Sequence, residues 1–122
     1  MDLEELRKIL LSQKGATEEM PFGPDVLVFK VMGKMFALVA WEADPLRISL
    51  KCDPNHALAL RAMYSAVIPG YHLNKEHWNT VILDDTVPVA EVLKMIDDSY
   101  NLVVASLSKT NQCKFRDHSK LI

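Results

Sequence analysis

No stretch of this chain approaches the roughly 20 consecutive apolar residues that a membrane-spanning helix requires. Its opening, MDLEELRKIL, is acidic and amphipathic where a secretory leader would be basic and then apolar. A soluble, cytoplasmic protein with no membrane partner is expected. Cysteine is scarce too: Cys52 and Cys113 are the only two, far apart and without CxxC spacing or a set of partner histidines. That removes a zinc knuckle and a disulfide framework, and leaves two reduced thiols as the expectation. The phosphate-cradling GxxxxGK[ST], the dinucleotide-binding GxGxxG and the nucleophile-elbow GxSxG are all missing.

Charge of one sign is not in excess either. Lysine and arginine number 14 against 16 acids, for a formal net charge of −2, which by itself argues weakly against a nucleic-acid partner. The distribution says more than the sum. Residues 1–25 carry three bases and six acids, and residues 84–100 one base and five acids, whereas residues 26–83 carry six bases against four acids and the last 22 residues four bases against Asp117. A locally basic face on an acidic protein is compatible with that segregation.

What the chain does have is 122 residues at 49% hydrophobic composition, enough for one compact domain with a real core. Asp2 followed by Glu5 suits an N-cap and N3 pair, and Leu3, Leu6, Ile9 and Leu10 recur at helical spacing until Gly15, predicting a helix over about 3–13. EEMPFGPD (18–25) reads as an irregular lead-in. VLVFKV (26–31), Met32-Gly33 and KMFALVAW (34–41) predict a hairpin. In LRISLKC (46–52), Leu46, Ile48, Leu50 and Cys52 alternate with Arg47, Ser49 and Lys51, so one face of that strand is apolar and the other polar.

Asp53-Pro54 is the cap and first position of a second helix, which should stop before Ile68-Pro69-Gly70. GYHLNKEHWNTVIL is most simply two short strands around a turn near Asn74-Lys75-Glu76. A last helix begins near Pro88 and runs through Val92, Leu93, Ile96, Tyr100, Val103 and Leu107. Residues 109–122 lack sustained periodicity and are expected to form a mobile basic tail on a domain over 1–108. The fold class expected is α+β: a two-layer sandwich with an antiparallel sheet, in the order α-β-β-β-α-β-β-α.

The runs ATEEMPFGPDVLVFKVMGKMFAL, ISLKCDP, VIPGYHLNKEHWNTV and MIDDSYNLVVASL resemble the MmcQ/YjbR family of small bacterial proteins, in order and over roughly residues 1–110. The resemblance implies an α+β fold similar to type III secretion chaperones or to the frataxin-like CyaY fold. It also implies a DNA-binding role through a "double-wing" motif. The chain departs from the family pattern in its tail after Lys109 and at Met32, where a small residue is more usual before Gly33.

For such a role, Lys30, Arg47, Lys51 and, in the stretch GYHLNKEHWNT, His72, Asn74, Lys75, His77 and Trp78 are the candidate DNA- or ligand-binding residues. Cations reach phosphate oxygens, while amide and aromatic groups read or stack on bases. Arg47 and Lys51 share a strand face by parity, and Asn74-Lys75 would sit on a hairpin tip. Each also has a plainer role. Trp78 suits a core position, Asn74 a turn held by backbone amides, and Arg47 and Lys51 an ordinary solvated face.

His72 and His77 are five apart, matching neither helix nor strand spacing, so no metal or other cofactor is expected. Asp2, Glu4 and Glu5 alternate with Arg7 and Lys8, too thin an acidic ridge for iron. Cys52 falls in the apolar set of its strand and reads as a buried, inert thiol, so an enzyme is not expected. The alternative to DNA is a binding module for a small anionic ligand or for a protein partner, using the same sheet face.

Overall fold

A computed structural model describes residues 1–70 and 73–120, with side chains through Arg116. Helix α1 (Leu3–Leu11) starts where Asp2 accepts a hydrogen bond from the Glu5 amide at 2.8 Å. Four strands follow: β1 (Ala16–Glu19), β2 (Val26–Val31), β3 (Lys34–Ala40) and β4 (Arg47–Lys51). Then come α2 (Pro54–Met63), β5 (Val67–Pro69), β6 (Trp78–Ile82), α3 (Val89–Ala105) and α4 (Lys109–Lys120). Asp53 caps α2 by accepting from the amides of Asn55 and His56, with Pro54 in the first turn. Among the described residues no helix is long and apolar enough to cross a membrane.

The six strands form one sheet in the order β1-β2-β3-β4-β6-β5, every neighbour antiparallel. The β2–β3 hairpin turns through Met32 and Gly33, both at positive φ (50° and 80°). That is the geometry of a two-residue turn matched to strand twist, and it explains the glycine. Register divides the side chains between two faces. Leu27, Phe29, Ala37, Val39, Ile48, Leu50 and Val81 lie on one and are all buried; with Leu6 and Leu10 of α1 and Val92, Ile96, Tyr100 and Val103 of α3 they make the core. Val26, Val28, Leu38, Ala40, Arg47, Ser49, Lys51, Trp78 and Thr80 lie on the other.

Three elements differ from expectation. The lead-in contributes a strand, β1, whose alternating half-buried and exposed residues at the sheet edge carry no apolar signal. The expected strand pair within GYHLNKEHWNTVIL is instead β5, which precedes Gly70, and β6, which begins at Trp78. β5 is a three-residue edge strand ending in a proline that has no N–H to offer the ladder. Residues 109–120, expected as a tail, form α4, started by Ser108 Oγ accepting from the Asn111 amide at 3.2 Å. Phe115 anchors this helix: Lys14 Nζ lies 4.0 Å from its ring centroid, and Gly15 leaves room beside it. The α+β class and antiparallel sheet stand, with one strand and one helix more than expected.

Candidate functional site

The second sheet face is the surface on which strand parity places Lys30, Arg47, Lys51 and Trp78. They do not form one continuous basic patch. Lys30 Nζ is 2.7 Å from Glu19 Oε2, so its charge is matched by the neighbouring edge strand. Lys51 stands directly opposite Trp78 across the β4–β6 ladder and is half-buried. Trp78 itself is only 9% exposed, which offers a base little open ring to stack upon. Arg47 is exposed at the other end of β4, opposite Ile82.

Around Arg47 the face is hollow. A cleft of about 480 Å³ is lined by Val26, Leu38, Ala40, Ala43 and Leu73, by the hydroxyl residues Ser49 and Thr80, and at its margins by Asp25, Glu42 and Arg47. Ser49 Oγ and Thr80 Oγ1 are 2.8 Å apart, which fixes the two hydroxyls to each other on the floor. Among the described residues the Arg47 guanidinium has neither an ion-pair nor a hydrogen-bond partner, and the Asp25 and Glu42 carboxylates are equally unengaged.

The connection from β5 to β6 holds the other candidates. Asn74 Oδ1 accepts from the Glu76 amide at 2.9 Å, a side-chain turn that shapes the tip. Lys75 is exposed at that tip, with no ion pair among the described residues. His77 is half-buried, and its carbonyl accepts from the Cys52 amide at 2.7 Å. His72 lies outside the described residues. The described part of the connection is held by the Asn74 side chain and by the His77 carbonyl.

Sequence reasoning missed the residue that does most of the tying. Arg61, in the last turn of α2, donates from Nε to Asn79 Oδ1 at 2.7 Å, and from its terminal nitrogen to the carbonyls of Trp78 (3.3 Å) and Lys75. Asn79 is 2% exposed and gives its own amide to the Ala57 carbonyl at 3.3 Å. The available signal was an asparagine inside the apolar run WNTVIL, since a buried amide requires partners and a nearby helix must supply them.

Between α2 and α3 a separate groove is lined by Cys52, Asp53, His56, Asp98, Asn101, Leu102 and Ala105. Burial of the Cys52 thiol, and then the negative charges of Asp98 and Asp53, raise its pKa above the ordinary 9.0. A thiol held protonated in this way is a poor nucleophile. Among the described residues no group of three histidines, cysteines or carboxylates could hold a metal ion.

The family model named YjbR matches residues 11–102. The uncharacterised protein YbdF of Escherichia coli O157:H7 is 41% identical over 96 residues, spanning 79% of each chain. The uncharacterised protein YjbR of Escherichia coli K12 is 34% identical over 104 residues, 85% of this chain and 88% of its own. In three dimensions the chain is similar to a Deinococcus radiodurans crystal structure at a TM-score of 0.88 and 38% identity, covering 93% of this chain and 87% of that one. A Pseudomonas syringae crystal structure superposes at 0.72 and 28% identity, covering 84% and 98%.

Proposed function

The chain belongs to the YjbR family, and on that premise we propose that it is a non-catalytic binding domain whose second sheet face holds a small, largely apolar ligand bearing a carboxylate. One observation carries this reading: the guanidinium of Arg47, with no ion-pair or hydrogen-bond partner among the described residues, stands at a cleft whose lining includes the aliphatic side chains of Val26, Leu38, Ala40, Ala43 and Leu73. Such a cleft buries an apolar body, while one guanidinium takes a carboxylate through two parallel hydrogen bonds.

The test is a thermal-shift series with aliphatic and aromatic monocarboxylates. Stabilisation should grow with ligand concentration by mass action, vanish in Arg47→Ala and weaken in Arg47→Lys, because a lysine cannot reproduce the bidentate fork. An equal shift in Arg47→Ala, or none for any carboxylate, would refute the reading.

Duplex DNA is a second reading, favoured by Lys75. This cation is exposed on a tip whose backbone Arg61 anchors, a firm mount for a phosphate contact. Against it, Glu19 already matches Lys30, and Asp25 and Glu42 share the cleft with Arg47. Fluorescence anisotropy with a short duplex decides: DNA binding requires affinity that falls steeply with salt and a shallower salt dependence in Lys75→Ala. No binding at low salt removes this reading.

A further inference from the structure

Opposite charges that share a cleft can pair across it. In this cleft they do not. Asp25, Glu42 and Arg47 all line it and all are exposed, yet no ion pair joins them and each is without a hydrogen-bond partner for its charged group among the described residues. The sheet explains why. Asp25 immediately precedes Val26, which pairs with Ala40, which pairs in turn with Arg47, so Asp25, just before β2, and Arg47, at the start of β4, lie two strands apart. At about 4.8 Å between neighbouring strands, the backbones at those two ends of the row are separated by about 10 Å. Glu42 follows β3, between them in the chain order and on the same rim.

We propose, resting on the carboxylate-binding reading above, that the ligand is a zwitterion: a peptide of two or three residues with free termini and apolar side chains. Its carboxylate goes to Arg47 and its ammonium to Asp25 and Glu42. Length sets this size. An extended chain advances about 3.3–3.6 Å per residue, so two or three residues span about 7–11 Å between their charged ends. Volume agrees, since a cleft of about 480 Å³ exceeds what one small side chain fills. Val26, Leu38, Ala40, Ala43 and Leu73 then cover the ligand's side chains. Ser49 and Thr80, whose hydroxyls are hydrogen-bonded to each other, are the uncharged polar residues of the lining.

The proposal is tested with leucyl-leucine, its N-acetyl derivative and its C-terminal amide, each titrated calorimetrically into the whole chain. Leucyl-leucine should bind, and removing either charge should weaken binding about tenfold or more, since each lost charged partner leaves an interaction unmade. Asp25→Asn combined with Glu42→Gln should weaken the free dipeptide and leave the N-acetyl form unchanged. Arg47→Ala should weaken both. These three substitutions lie on exposed positions, so folding is retained.

If the N-acetyl form binds as tightly as the free dipeptide, the zwitterion inference is overturned while the carboxylate reading survives. If the C-terminal amide binds as tightly and Arg47→Ala changes nothing, both fall. Absence of binding by all three peptides, in the presence of binding by a simple apolar carboxylate, also overturns the inference alone.

Discussion

The Arg61 guanidinium donates from Nε to Oδ1 of Asn79 at 2.7 Å, joining the end of α2 to a buried position on β6. The same side chain reaches the carbonyls of Trp78 and Lys75, so one arginine organises the approach to the strand. Removing it leaves the Asn79 oxygen buried without that donor. Arg61→Ala should therefore destabilise the fold by about 1–3 kcal/mol, the usual cost of an orphaned buried polar group. Urea unfolding gives the number. Faster amide hydrogen exchange at residues 74–77 would show that the loss begins in the connection.

Gly70 and Gly33 provide a matched pair. A Cβ at Gly70 would lie 2.7 Å from Trp78 Cβ and 3.0 Å from the Trp78 carbonyl oxygen, both held in the sheet. A Cβ at Gly33 would meet nothing within 4 Å, but the residue sits at a φ of 80°. Gly33→Ala thus measures backbone strain alone, about 1–2 kcal/mol. Gly70→Ala forces β5 and β6 apart at their hydrogen-bonded end and should cost about 1–3 kcal/mol by overpacking, with a shift in tryptophan fluorescence that Gly33→Ala does not produce. Equal costs and identical spectra would mean that the close approach yields easily.

These residues also show what a sequence discloses. The hairpin at Met32-Gly33, the alternation in RISLK and the caps at Asp2 and Asp53 were legible because each is a local rule: two, three or four residues decide it. β1 was not legible, because an edge strand of alternating polar residues carries the same composition as a loop, and only pairing with β2 makes it a strand. α4 was hidden for a similar reason: its packing depends on Phe115 meeting Lys14 and Gly15 from far along the chain.

The candidate site divides in the same way. Parity on β4 puts Arg47 and Lys51 on one face, but nothing local to Lys30 reveals that Glu19 lies 2.7 Å away. Nor does the stretch 70–80 announce Arg61 as its anchor. Asp25 and Glu42 lie outside the strands in sequence, and only the assembled sheet places them on the same cleft as Arg47.

Ser99 is a third point at which distant segments are joined. It is fully buried on α3, donates to the Phe36 carbonyl at 2.6 Å and accepts from the Lys51 amide at 2.8 Å. Phe36 is where β3 carries an extra residue relative to β2, since Phe29 pairs with Ala37 and Lys30 with Met35. A bulge leaves ladder groups without strand partners, and the serine hydroxyl takes their place. Ser99→Ala keeps the volume nearly constant while orphaning both groups, so a loss of about 2 kcal/mol in urea unfolding is expected. Ser99→Thr should not restore it, because the added methyl has no space in a fully buried site. A cost below about 0.5 kcal/mol for Ser99→Ala would show that water or a backbone shift satisfies the bulge instead.

Alkaline pH should lower stability through two groups whose protonated forms the fold favours. Burial raises the Cys52 thiol above its ordinary 9.0; the Asp98 and Asp53 charges add to this, opposed by the Arg61 guanidinium and the Asp53 backbone amide. Burial likewise raises the Tyr100 phenol above 10.0, and its hydroxyl donates to the Lys14 carbonyl while its ring meets Phe36 edge to face at 5.3 Å. In each case the unfolded chain releases its proton at a lower pH than the folded one. Above the unfolded value, U binds fewer protons than N, and stability falls as pH rises. The contribution is intact below about pH 9, is lost first through Cys52 and then, above about pH 10, through Tyr100, and levels off once the folded values are passed. Urea midpoints measured from about pH 8 to about pH 11 should therefore decline in wild type. Cys52→Ala should remove the earlier part of that decline and Tyr100→Phe the later part. A Cys52→Ala profile parallel to wild type would mean that the thiol ionises alike in both states, and that its burial between β4 and α2 is looser than the packing shows.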